Sequence, residues 1–81
     1  MKVHGFEVTP EIEQACLAAI RKRRYFVTSA IEAVAIKHGV PQAVRIGRPI
    51  SMHYAHALLQ RERKAGRIKR VGNRWERVEG K

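Results

Sequence analysis

The sequence predicts a small α+β domain, mainly α: a three-helix core followed by a C-terminal two-stranded β-hairpin. Three observations predict it. The chain has 81 residues, 44% of them hydrophobic, which suits one folded unit over residues 1–81 and not a polar tail. Three segments carry apolar residues at helical spacing behind recognisable start signals. Near the end, Gly72-Asn73 separates two short runs that can pair, with glycine supplying the unusual first backbone angle of a two-residue turn.

The first helix starts at Thr9-Pro10-Glu11. Thr9 can cap, Pro10 suits the first helical position, and Glu11 and Glu13 complement the positive end of the dipole. Ile12, Cys16, Ala19 and Ile20 form its apolar stripe. It closes in Arg21-Lys22-Arg23-Arg24, where positive charge complements the C-terminal dipole and can also clamp a phosphate. Tyr25-Phe26-Val27 reads as a short strand. Ser29 and Glu32 have the spacing of a capping box for a second helix, from about Ala30 to His38, with Ile31, Val34 and Ala35 on one side. Gly39 and Pro41 stop it.

Gln42 to Ile50 reads as a connector with room for a short helical turn at Gln42 to Val44. Ser51 is the expected cap of a third helix from about Met52 to Lys64, ending before Gly66. At 100° per residue, Met52, Ala55 and Leu59 share one side, with Leu58 near its edge. His53, Tyr54, Ala57, Gln60, Arg61 and Lys64 lie opposite. In the hairpin, a turn at Gly72-Asn73 pairs Val71 with Arg74, Arg70 with Trp75, Lys69 with Glu76 and Ile68 with Arg77. Ile68 and Trp75 then share a core-facing side, Lys69 and Glu76 form an opposite-charge pair, and Arg70 can stack on Trp75.

Charge narrows the function classes. There are 17 Lys and Arg against 7 acidic residues, a formal net of +10. Met1 to Val40 carry six basic and four acidic side chains, a net of +2, whereas Pro41 to Lys81 carry eleven and three, a net of +8. Arginine outnumbers lysine by 11 to 6. Solubility alone does not require charge concentrated in one half, and the planar guanidinium fork matches phosphate oxygens. The expected partner is a nucleic acid: double-stranded DNA first, structured RNA second, with an acidic protein surface as the third class. No apolar run is long enough for a membrane span, and MKVHGFEVTPE lacks the apolar core of a secretory signal. Cys16 stands alone, so no internal disulfide forms. An intracellular location, cytoplasm or nucleoid, is expected.

The order helix, strand, helix, connector, helix, basic hairpin resembles a winged helix–turn–helix domain. The residues that carry the likeness are Leu58-Leu59-Gln60-Arg61-Glu62-Arg63-Lys64-Ala65-Gly66-Arg67-Ile68-Lys69-Arg70, similar to the end of a recognition helix, its glycine stop and a basic first wing strand, with Trp75 at a core position of the second. Two features depart from the pattern. Glu62 stands where a second leucine is usual, and the connector from Gly39 to Ile50 is longer than a tight turn. The resemblance implies that helix 51–64 enters a major groove, with Ser51, His53, Tyr54, Ala57, Gln60, Arg61 and Lys64 facing the DNA. The wing, 67–78, would follow the backbone or a minor groove through Arg67, Lys69, Arg70, Asn73 and Arg74. Arg45 and Arg48 of the connector are weaker candidates. Gly47-Arg48-Pro49 resembles the core of an AT-hook, although Ile46 stands where the hook has arginine; otherwise it is a loop whose proline starts the next helix. A transcriptional regulator or a phage or mobile-element accessory factor is the kind of protein this implies, as monomer or homodimer.

Other chemistries find little footing. His53 and His56 lie three apart on a helix without a cysteine or carboxylate at ligand spacing, so no metal is expected. Cys16 lies on an apolar stripe and reads as a core thiol. No paired carboxylates, phosphate loop or triad order is present, so neither an enzyme nor a cofactor is expected.

Overall fold

The computed structural model describes residues 2–78. It is an α+β fold in which three helices of 13, 10 and 15 residues make up roughly half of the chain. In chain order the elements are β1 (Lys2–Val3), β2 (Phe6–Glu7), α1 (Pro10–Lys22), β3 (Tyr25–Phe26), α2 (Thr28–Lys37), β4 (Val44–Arg45), β5 (Arg48–Pro49), α3 (Ile50–Lys64), β6 (Ile68–Val71) and β7 (Arg74–Arg77). All strand pairs are antiparallel.

α1 begins as its sequence indicates. Pro10 occupies the first turn, and the Ile12 amide donates to Thr9 Oγ1 at 3.4 Å. Its buried stripe is Ile12, Cys16, Leu17 and Ile20.

α2 begins earlier than expected, at Thr28, and its cap residue Val27 offers no side-chain hydrogen bond. The capping box does not form, because α2 already includes Ser29 and the Glu32 carboxylate is engaged elsewhere. Glu32 Oε2 accepts from Ser51 Oγ of α3 at 2.6 Å. Thr28 Oγ1 accepts from Trp75 Nε1 at 3.0 Å. The helix closes at Gly39, whose φ of +105° suits glycine; Gly39 N–H donates to the Ile36 carbonyl and Val40 N–H to that of Ala35.

The connector contains a hairpin in place of a helical turn. β4 and β5 pair as Val44 with Pro49 and Arg45 with Arg48, around Ile46-Gly47. Both turn residues have positive φ, +51° and +78°, the signature of a type I′ turn. The hairpin is fastened to the start of α3, where Ile50 N–H donates to the Ala43 carbonyl at 2.9 Å and Ser51 N–H to the Pro41 carbonyl at 3.0 Å. These bonds satisfy two amides that a helix N-terminus leaves open. The expected helix-starting role therefore belongs to Pro49, the residue before α3, and not to Ser51.

The C-terminal hairpin has the expected register, Ile68–Arg77 through Val71–Arg74. β3 joins it to make a three-stranded sheet in the order β3-β7-β6. Alternation along the strands puts Phe26, Ile68, Arg70, Trp75 and Arg77 on the inner side and Tyr25, Lys69, Val71, Arg74 and Glu76 on the outer. Ile68 and Trp75 are buried, with Phe26, against the helices. Each large apolar side chain so buried contributes about 1.5–3 kcal/mol of transfer free energy. The N-terminal hairpin β1–β2, unforeseen in the sequence, turns at His4-Gly5 with positive φ at both.

Candidate nucleic-acid interface

The buried side of α3 is Ile50, Ser51, Tyr54, Ala55, Leu58, Leu59 and Glu62. Its outward side is therefore His53, His56, Ala57, Gln60, Arg63 and Lys64, rotated from the expected face. Ser51 and Tyr54 are each 0% exposed, which corrects their assignment as DNA contacts. The Ser51 hydroxyl is committed to Glu32. The Tyr54 ring fills the core between α3 and α1, beside Cys16; burial raises its ionisation well above the ordinary phenol. Burial, with the Glu13 carboxylate adding and the Tyr54 hydroxyl opposing, pushes the Cys16 thiol up to about 11, so it stays protonated.

Arg61 is a second correction. It turns toward α1, with Nη2 at 3.3 Å from Glu13 Oε2 and 3.4 Å from Glu62 Oε2. Arg67 is a third. Its guanidinium grips Glu62 in two places, Nε to Oε1 at 2.7 Å and Nη2 to Oε2 at 3.1 Å. Glu62 is only 4% exposed. Its carboxyl is held below the usual range chiefly by the Arg67 hydrogen bond, with Arg61 helping and burial opposing. At the place where the resemblance has leucine, a buried carboxylate held by exposed guanidinium groups ties the end of α3 to the start of the sheet.

Of the remaining candidates, Ala57, Gln60 and Lys64 are exposed on the outward face of α3, and Gln60 Oε1 accepts from Arg63 Nε at 3.0 Å. His53 is half-buried; its Nε2 meets the Arg45 carbonyl, and its ring lies 4.3 Å from that of His4. These contacts hold both N-terminal-side hairpins beside the first turns of α3. Arg45 and Arg48 are exposed on the connector hairpin. Arg48–Pro49 runs as a paired strand, so it is not the free extended segment of an AT-hook. Arg70 lies over the Trp75 ring at 5.2 Å and donates from Nε to the Gly72 carbonyl at 3.0 Å. Asn73 is exposed at the hairpin tip. Lys69 and Arg74 occupy the outer side of the sheet. Lys69 sits 3.6 Å from Glu76, and Arg74 lies over the Tyr25 ring at 4.6 Å.

The positive charge of the C-terminal half thus does not gather on one side. Arg61 and Arg67 face the back, where a groove of about 660 Å³ is lined by Leu17, Ile20, Arg21, Glu62 and Arg77 among others. Lys69 and Arg74 face outward from the sheet. A third set, Arg48, His53, His56 and Arg70, lies away from both. Burial lowers the His56 imidazole below its ordinary value, and the charges of Arg48, His53 and Arg70 lower it further, with Glu32 opposing.

His56, Arg63 and Ile46 were missed from the sequence. The signal for the first two was Leu58: centring the stripe on it places His56 and Arg63 about 160° and 140° away at 100° per residue. Among the described residues no group of three His, Cys, Asp or Glu side chains could hold a metal ion, and no helix is long and apolar enough to cross a membrane. No family model, no curated protein and no solved structure matches the chain.

Proposed function

We propose that this protein is a winged-helix binder of double-stranded DNA that lays the outward face of α3 in the major groove. His53, His56, Gln60 and Arg63 face the base edges, and Ala57 admits close approach. Arg48 and Lys64 flank the groove at opposite ends of the helix and meet phosphates. Arg70 and Asn73 carry the hairpin tip onto the backbone or the adjoining minor groove. The role is that of a transcriptional regulator or of an accessory factor of a phage or mobile element, acting inside the cell. The observation that carries this reading is the exposed polar and cationic face of α3, against which the Arg45–Arg48 hairpin is held by the contact of the Arg45 carbonyl with His53.

One observation favours a second reading, structured RNA. Tyr25 is 41% exposed on the outer side of the sheet, with Arg24 at 5.6 Å and Arg74 at 4.6 Å from its ring centre. An exposed aromatic flanked by guanidinium groups suits an unstacked base.

Titrating the protein against a random duplex pool and an RNA hairpin of equal length, in competition, separates the two. The DNA reading expects the duplex to win and selection to enrich a common site. About six phosphate contacts give a log–log salt slope near −5. A flat salt response overturns phosphate-driven binding, and preference for the hairpin, lost in Tyr25→Ala, moves the function to RNA.

A further inference from the structure

The connector hairpin carries an arrangement that charge alone does not explain. Ile46, at its tip, is 85% exposed. It also sits at φ +51°, a left-handed conformation that a β-branched side chain adopts only under strain. A type I′ turn accepts asparagine, aspartate or glycine at this place without that strain. The residues that flank the Ile46-Gly47 turn, Arg45 and Arg48, are a cross-strand pair of exposed cations. The tip is also held in position. Its strands are bonded to the first amides of α3 through the Pro41 and Ala43 carbonyls, and the Arg45 carbonyl meets His53 on the outward face. A strained apolar point, bracketed by guanidinium groups and braced against the helix, is poorly suited to water and well suited to a base stack between two phosphate rows.

We infer that this hairpin is a DNA wedge. Ile46 enters the minor groove next to the major-groove segment occupied by α3 and parts one base step, while Arg45 and Arg48 straddle the step on the two strands. Apolar side chains inserted in this way kink a duplex by about 20–90°. The protein then bends its site as well as binding it, and pyrimidine–purine steps, which unstack most easily, are favoured under the tip. This inference rests on the duplex-DNA reading.

The test is end-to-end energy transfer across a doubly labelled duplex of about 30 base pairs, with the wild-type protein, Ile46→Asn and Ile46→Leu. Asparagine tolerates the left-handed turn and alters no charge, so Ile46→Asn keeps the hairpin, melts no lower than wild type and retains the salt slope. The expected result is that wild type and Ile46→Leu bring the duplex ends together and Ile46→Asn does not. Straight DNA in the wild-type complex, or a bend that persists in Ile46→Asn, overturns the wedge and leaves duplex binding standing. Self-association that Ile46→Asn abolishes while the DNA stays straight assigns the tip to a second copy and overturns the wedge likewise. No duplex binding at all overturns both this inference and the reading beneath it.

Discussion

Replacing Glu62 by glutamine tests the ion pair that joins the end of α3 to the sheet. The carboxylate makes three close contacts, at 2.7 and 3.1 Å to Arg67 and 3.4 Å to Arg61. Its side chain is 5% exposed, but those of Arg67 and Arg61 are 63% and 39% exposed. Breaking a fully buried pair costs about 3–5 kcal/mol, chiefly through the charge left behind. Here the abandoned arginines rehydrate, so the cost falls to about 2 kcal/mol. At about 4–8 °C per kcal/mol for a domain of this size, melting falls by about 10 °C. The pH dependence identifies the cause. The folded carboxyl is lowered from its ordinary 4.5, so its contribution is fully present above pH 4.5 and is lost as pH falls through the lower folded value. Thermal melts followed by circular dichroism at pH 7 and pH 3 give the comparison. The expected result is a gap near 10 °C at pH 7 that narrows steadily as pH falls below 4.5. Equal melting at pH 7, or a gap that does not narrow on acidification, refutes the charge argument.

Further predictions concern the two sides of α3. Arg61→Ala lowers stability by about 1 kcal/mol with little effect on duplex affinity, because its partners are Glu13 and Glu62; Arg63→Ala leaves melting unchanged and narrows the gap between the selected and a random duplex by about 1–3 kcal/mol, as anisotropy titrations on both duplexes will show. His56 gives opposite pH trends in folding and binding. Its folded value is lowered from 6.5, so the unfolded chain takes up the proton first and stability falls as pH drops below 6.5; the negative potential of the bound duplex favours the charged ring, so duplex affinity rises about threefold from pH 7.5 to 5.5, and His56→Gln flattens both profiles. Trp75→Phe loses the 3.0 Å bond to Thr28 and part of the ring that covers the core. Differential scanning calorimetry should show a loss of about 1.5 kcal/mol.

What was legible in the sequence was whatever local chemistry decides. α1 has its cap, proline and stripe in consecutive residues. Gly72-Asn73 sets the register of the last hairpin, and with it the Ile68–Trp75 anchor and the Lys69–Glu76 pair. The face of α3 was misread because three of its seven buried positions, Ser51, Tyr54 and Glu62, carry polar groups; Ser51 and Glu62 find partners elsewhere in the chain, and the Tyr54 ring fills the core. Hydropathy counts such residues as outward. Only the distant Glu32 and Arg67 make Ser51 and Glu62 compatible with the interior. The capping box at Ser29 failed for the same reason, since Glu32 has a partner 19 residues away. The connector hairpin was hidden because its turn begins with isoleucine, where asparagine would have announced it, and His4 disguises the first hairpin in the same way. The rotated helix face and the strained tip are the two features on which binding and bending are proposed to rest.

The most direct test of the proposed interface compares two variants that remove the same charge. Arg48→Gln/Arg70→Gln strips the two arginines that act on His56, and Arg21→Gln/Arg77→Gln strips two from the groove behind α3. The measurement is the salt dependence of binding to one duplex. The account predicts that the first variant loses about two units of slope and most of its affinity while the second binds as wild type does. Equal losses in both would show that net charge, and not this face, governs binding, and would contradict it.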